Sequence, residues 1–213
     1  NIQRGLNEYS AIEIANNSSG NVNIILADNT DNIISTTNNY AALSKNSDSA
    51  ACGTLTISCQ HSGEAGHICG SSCGGLNAAS SEIPAAIGGD YNNSASNIVI
   101  NGGRIDAKSV FGAGIGGGYV ANANNITVNG GIINAESFFG AAIGSSREGN
   151  ADGIYINGGI INAKSVFGAA IGSGLEGNAD GIYINGGIVN AVITYFDNNN
   201  NNDFGCAIGS GAN

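Results

Sequence analysis

Residues 97–180 are one 28-residue unit written three times: NIVINGGRIDAKSVFGAGIGGGYVANAN (97–124), NITVNGGIINAESFFGAAIGSSREGNAD (125–152) and GIYINGGIINAKSVFGAAIGSGLEGNAD (153–180). Asn101, Asn129, Asn157 and Asn185 open NGG triplets at that spacing, and Ile115, Ile143 and Ile171 keep the same step. A fixed period near thirty residues marks a solenoid, in which no unit buries an apolar face alone and neighbours must stack. Three strand-sized, Ile-rich runs recur in each unit, as at 154–157, 159–163 and 169–173, each bounded by Gly or Asn. No window carries an apolar stripe at i, i+3, i+4, i+7, so amphipathic helices are not expected. The predicted fold class is all-β: a single-stranded parallel β-solenoid, expected to be a right-handed β-helix, of about six coils with a 28-residue core repeat.

Stacking in register sets equivalent residues about 4.8 Å apart along the axis, so sequence columns become ladders. Phe111, Phe139 and Phe167 form an aromatic column, expected inside the core and continued by Tyr195. Asn134 and Asn162 form an amide column flanked by Asp106 and Asn190, and Lys108, Glu136 and Lys164 a column of alternating charge. Gly88, Gly89 and Gly116 to Gly118 recur with the coil, which makes them corners between strands rather than a dinucleotide fingerprint.

Working outward, residues 1–213 read as one domain. Irregular coils fill 1–96, regular repeats 97–180 and a last coil 181–213. Ala11 and Ile12 align with Ala142 and Ile143, Ile25 with Ile156 and Ile2 with Ile133, so the chain is expected to enter at the second strand of a coil. Two insertions interrupt the pattern. One, at 197–203, is an Asn tract that cannot pack a core and is expected at the surface. The other, at 59–82, holds both histidines, His61 and His67, and three of the five cysteines, Cys59, Cys69 and Cys73. Those five side chains offer zinc-ligand chemistry in one loop, but their spacing fits no standard zinc pattern. A disulfide-stapled insertion is the favoured expectation, with Cys52 and Cys206 as further partners and one thiol left over from an odd total.

The 213 residues carry 6 Lys and Arg against 16 Asp and Glu, a net charge of -10. This acidity gives no electrostatic route to phosphate backbones or anionic membranes, so neither nucleic acid nor membrane insertion is expected. No apolar run reaches membrane-spanning length. The absence of Met, even at position 1, points to a processed chain or a piece of one.

IVINGGRIDA (98–107) with GAGIGGG (112–118), and ITVNGGIINA (126–135) with GAAIGS (140–145), carry a resemblance. The chain resembles the glycine-rich repeat modules of large secreted and cell-surface proteins of gut Firmicutes and trichomonad protists. The resemblance covers nearly the whole length and is strong from Pro84 onward. It implies a right-handed β-solenoid used as a surface stalk, adhesin or fibre element, and implies no catalytic residues. The Asn-rich composition and the Cys/His insertion depart from the bacterial pattern.

Parallel β-helices also host polysaccharide lyases and glycosidases, so the fold alone decides nothing about activity. Those sites need clustered carboxylates. Glu148 and Glu176 stack in one column and Asp152 and Asp180 in another, beside Arg147; they read as solvated loop residues, with a calcium site as the sharper alternative. No nucleophile elbow, Ser-His-Asp order or phosphate loop is present, and neither an enzyme nor a cofactor is expected. Tyr155 and Tyr183 stack two residues before Asn157 and Asn185 and offer a small platform for glycans if they face outward. Sequons at Asn16, Asn17, Asn92 and Asn125, all expected at corners, mark solvent-facing positions open to glycosylation in a eukaryotic source. The expected function is an extracellular structural element, a fibre or stalk that associates end to end with copies of itself or continues into a longer chain. A carbohydrate-binding adhesin module is the alternative, and a lyase or hydrolase a distant third.

Overall fold

The structure is a computed structural model that describes residues 2–3, 9–15, 18–49, 51–64, 67–194 and 205–211. The described residues form twenty strands and no helix. The irregular coils run β1 (Ile2–Gln3), β2 (Ile12–Ile14), β3 (Val22–Leu26), then β4 (Asp31–Thr36), β5 (Leu43–Lys45), β6 (Leu55–Cys59), then β7 (Gly75–Ser80), β8 (Ile87–Gly88), β9 (Ala95–Ile100). The regular coils run β10 (Arg104–Lys108), β11 (Ile115–Gly116), β12 (Ala123–Val128), then β13 (Ile132–Ser137), β14 (Ile143–Gly144), β15 (Ala151–Ile156), then β16 (Ile160–Ser165), β17 (Ile171–Gly172), β18 (Ala179–Ile184). A last partial turn supplies β19 (Ile188–Ile193) and β20 (Ile208–Gly209).

Every third strand pairs in parallel with its predecessor, giving two seven-stranded sheets and one of six. The fold is therefore a three-sided parallel β-solenoid of about six coils. Alternation along each strand puts one set of side chains inside. Ile98, Ile100, Ile105 and Ile115, with their equivalents through Ile126 to Ile143 and Ile154 to Ile171, line the axis and are fully buried. Burying an Ile contributes about 1.5–3 kcal/mol, so four per coil give roughly 6–12 kcal/mol before entropy is subtracted. Small Ala residues at 107, 135 and 163 complete the first sheet's inner face.

The outer ladders form as the columns foretell. The Nδ2 of Asn134 donates to Asp106 Oδ1 at 2.7 Å, Asn162 to Asn134 at 2.8 Å and Asn190 to Asn162 at 2.9 Å. A second amide ladder climbs the NGG corners from Asn101 through Asn129 and Asn157 to Asn185, each step 2.8 Å. Lys108, Glu136 and Lys164 are in register, and Lys108 Nζ lies 3.2 Å from Glu136.

Four expectations are corrected. Phe111, Phe139 and Phe167 do stack, with ring centres 4.8 and 5.3 Å apart, but on the outside and half-buried. The inner side of that corner is taken by Ser109, Ser137 and Ser165, whose buried hydroxyls donate to the carbonyls of Pro84, Gly112 and Gly140 at 2.7–2.8 Å. In the first coil, Ile24 rather than Ile25 continues the Ile156 column, through Ile57, Ile100 and Val128, and Ile25 points out at 68% exposure. Ile2 pairs with Ile34 and so belongs to the Ala135 column, not that of Ile133. Finally, sheet structure resumes at Gly75, so the Cys/His insertion ends before β7 rather than at 82. Tyr195 and the Asn tract at 197–203 lie outside the described residues.

Candidate metal centre

In a regular coil, three residues turn the chain from the six-stranded sheet into the next: Asn101, Gly102 and Gly103 join β9 to β10. Between β6 and β7 the same corner takes residues 60–74. The alternation of β6 points Leu55, Ile57 and Cys59 inward, so Cys59 leaves the strand buried. The loop then folds in short turns, with Ser62 N–H donating to Cys59 O, Glu64 N–H to His61 O, His67 N–H to Glu64 O and Cys73 N–H to Gly70 O, each at 3.1 Å. These turns bring His67, Cys69 and Cys73 back over Cys59.

Four donors converge. His67 Nε2 lies 3.2 Å from Cys59 Sγ, 3.4 Å from Cys73 Sγ and 3.7 Å from Cys69 Sγ, and the Cys59 and Cys69 sulfurs are 3.5 Å apart. All four donor atoms fall within 4.8 Å of one another, with Cys59 and Cys73 buried and His67 and Cys69 half-buried. Three soft sulfurs and an imidazole suit a soft or borderline cation. The next coil's corner closes the site from below. Gly103 N–H donates to Cys69 Sγ at 3.1 Å, and Arg104 Nε–H to Cys73 O at 2.9 Å. A Cβ on Gly102 would lie 2.4 Å from Ser62 Oγ and 3.0 Å from both the Cys59 and Cys69 sulfurs, so only glycine fits there. Burial opposes ionisation of Cys59, but hydrogen bonding with Ser62, Cys69 and His67 overcomes it and brings the thiol down to about 7. Burial, against the Gly103 N–H, pushes the Cys69 thiol up to about 12.

The expected disulfides are not formed in this structure: none of the five cysteines is bonded to another, and the Cys59 and Cys69 sulfurs stand 3.5 Å apart against the roughly 2.05 Å of a bond. Cys52 is buried and Cys206 exposed, neither belonging to the cluster. His61, a candidate ligand in the sequence, turns away to Asp28 and Glu64, each at 2.9 Å; the Glu64 and Asp28 carboxylates raise its pKa. The clue in the sequence was the density of Cys and His just before a strand, and the irregular spacing obscured it.

The calcium candidates do not gather. Arg147 reaches Glu148 at 3.4 Å and Glu176 at 3.2 Å, and Asp180 Oδ1 accepts the Gly181 N–H at 2.8 Å. Among the described residues, Glu148, Asp152, Glu176 and Asp180 form no cluster with the spacing of a metal site, and all four are exposed. Tyr155 and Tyr183 do stack, 5.0 Å apart with planes 7° from parallel, and Tyr183 faces solvent. Asn92 and Asn125 are exposed, Asn92 in a turn but Asn125 within β12 rather than at a corner. Asn16 and Asn17 lie outside the described residues.

A family model described as "Beta helix repeat" matches residues 98–119, 126–147 and 154–175, one segment per regular coil. The matched segments begin after the Cys/His loop. No curated relative and no solved structure matches the chain.

Proposed function

We propose that this protein is a structural β-solenoid segment of an extracellular stalk or fibre, and that copies of it stack head to tail. One observation carries the reading. Ile156 is fully buried beneath the following coil, whereas Ile184, in the same column of the last coil, is 45% exposed. Ile208 of β20 shows the same change: its partner in the preceding coil, Ile171, is fully buried, and Ile208 is 41% exposed. The sheets that end on β18, β19 and β20 begin on β3, β1 and β2, and all are parallel. A second copy placed on this end, or further coils of a longer chain, would continue all three ladders in the same direction. Such a contact is heterologous and propagates as a filament. An exposed strand edge is the usual template for this addition. The similarity of the coils to glycine-rich repeats of secreted and cell-surface proteins, and the exposed sequons at Asn92 and Asn125, support an extracellular setting. The reading assigns no reaction to the chain.

Sedimentation velocity on the purified chain tests it. The mass should rise with concentration, and Ile184→Lys with Ile208→Lys, in the two inward columns that the end leaves uncovered, should hold the protein monomeric. A wild-type monomer at every concentration would refute stacking. A second reading, glycan binding, is favoured only by the stacked Tyr155 and Tyr183 beside the Asn157 and Asn185 amides. A glycan array that lights up with wild type and goes dark with Tyr155→Ala and Tyr183→Ala would support it.

A further inference from the structure

We propose that Cys59, His67, Cys69 and Cys73 bind one Zn(II) ion, which closes the long corner between β6 and β7. The proposal is independent of end-to-end stacking. It rests first on geometry. Zinc holds thiolate sulfur at about 2.3 Å and imidazole nitrogen at about 2.0–2.1 Å in a tetrahedron, which places ligand sulfurs about 3.8 Å apart and sulfur and nitrogen about 3.6 Å apart. The cluster has 3.5 Å between the Cys59 and Cys69 sulfurs, and 3.2, 3.4 and 3.7 Å from His67 Nε2 to the three sulfurs. The donors thus stand nearly where the ion requires them. Three thiols and one imidazole complete a tetrahedron with no open position, the mark of a structural rather than a catalytic zinc site. Calcium and magnesium would demand oxygen donors.

The surroundings supply the second argument. On binding, the three thiols release three protons to solvent, and the ion with three thiolates carries a single negative charge. The Gly103 N–H already donates to Cys69 Sγ at 3.1 Å, the outer contact that orients and steadies a thiolate ligand. Ser62 Oγ sits 3.1 Å from Cys59 Sγ. The glycine at 102 lets the next corner reach the sulfurs at all.

The loop itself supplies the third. Residues 60–74 contain one large aliphatic side chain, Ile68, and it is 85% exposed. Such a segment buries too little apolar surface to order itself, and a metal is the standard substitute. Its position gives the ion a further role. The loop stands where the NGG corner stands in later coils, and Asn101, the first residue of the corner ladder, donates its N–H to Ile57 O two residues before Cys59. A fixed loop offers the first regular corner a fixed surface to stack on.

The test uses the full chain purified without chelator under reducing conditions. Metal analysis and native mass spectrometry should find one zinc per chain, with a mass showing three lost protons. Cobalt(II) substitution should give the intense visible bands of a tetrahedral thiolate site. Cys206→Ser should keep the metal, and Cys69→Ser and His67→Ala should lose or weaken it. Two results would overturn the proposal: reduced wild type that takes up neither zinc nor cobalt, or native material in which Cys59 and Cys69 are joined as a disulfide. Both readings use wild type, so a variant that fails to fold does not blur the answer.

Discussion

Val120 takes the left-handed backbone conformation, with φ of 54°, a costly state for a β-branched residue. It belongs to a column. Asn92, Glu148 and Glu176 sit one coil apart and share φ values of 57°, 57° and 62°. A second such column runs Asn97, Asn125, Gly153 and Gly181, with φ of 58°, 53°, 71° and 63°. Asn and Gly fill such positions at least cost. Val120→Asn, exposed and free to adopt the residue of the preceding coil, should therefore stabilise the protein by about 1 kcal/mol, read as a higher urea midpoint; a lower midpoint would contradict this account of the corner. Gly144→Ala should do the reverse. Its φ is 136°, and a Cβ there would lie 1.9 Å from Gly172 O. Strain and overpacking together should cost about 2–5 kcal/mol, whereas Gly20→Ala, which meets only Ser18 Oγ at 3.5 Å, should stay within about 0.5 kcal/mol of wild type. The Gly corners were legible in the sequence because glycine advertises a positive φ. The same conformation at Val120 and Glu148 was not, since nothing in those side chains asks for it.

At the level of strands, the ladders decide the register. Glu136 stands between Lys108 and Lys164 and is 3.2 Å from the first. Glu136→Lys would stack three ammonium groups about 4.8 Å apart. It should lower the melting temperature in low salt by the equivalent of about 0.2–1 kcal/mol, and less at high ionic strength. An unchanged melt in low salt would contradict the pairing. Where the spacing is constant, the sequence alone places each strand: Ile115, Ile143 and Ile171 fall into one buried column. Where a corner changes length, that reading fails. Ile12 is followed after twelve residues by Ile24 in the column that Ile156 reaches thirteen residues after Ile143. A one-residue difference turns the alternate face inward, which is why Ile25 is outside. The Phe column shows a different limit. Its repeat was readable, but which side of a corner it takes depended on the buried Ser109, Ser137 and Ser165 hydroxyls, short side chains with little hydrophobic signature.

Across the whole molecule, the repeat gives the axis and the insertion gives its exception. The three-sided architecture could be read from residues 97–180, because identical coils must stack identically. The metal centre could be seen only as a concentration of Cys and His between 59 and 73. Its ligand set, with His67 in and His61 out, depends on the turns of the loop and on the next coil's Gly102 and Gly103. In the proposed stalk or fibre the loop and the coils would form one rod, joined where Ile184 and Ile208 are exposed. The most direct test of the structural role is cryo-electron microscopy of the purified chain at rising concentration. A single copy should be roughly 30 Å long, from six to seven strands spaced about 4.8 Å apart. The account predicts rods of constant width whose lengths are multiples of that value, with the 4.8 Å axial repeat unbroken across the joins. Particles that stay one copy long at every concentration, or that associate side by side, would contradict it.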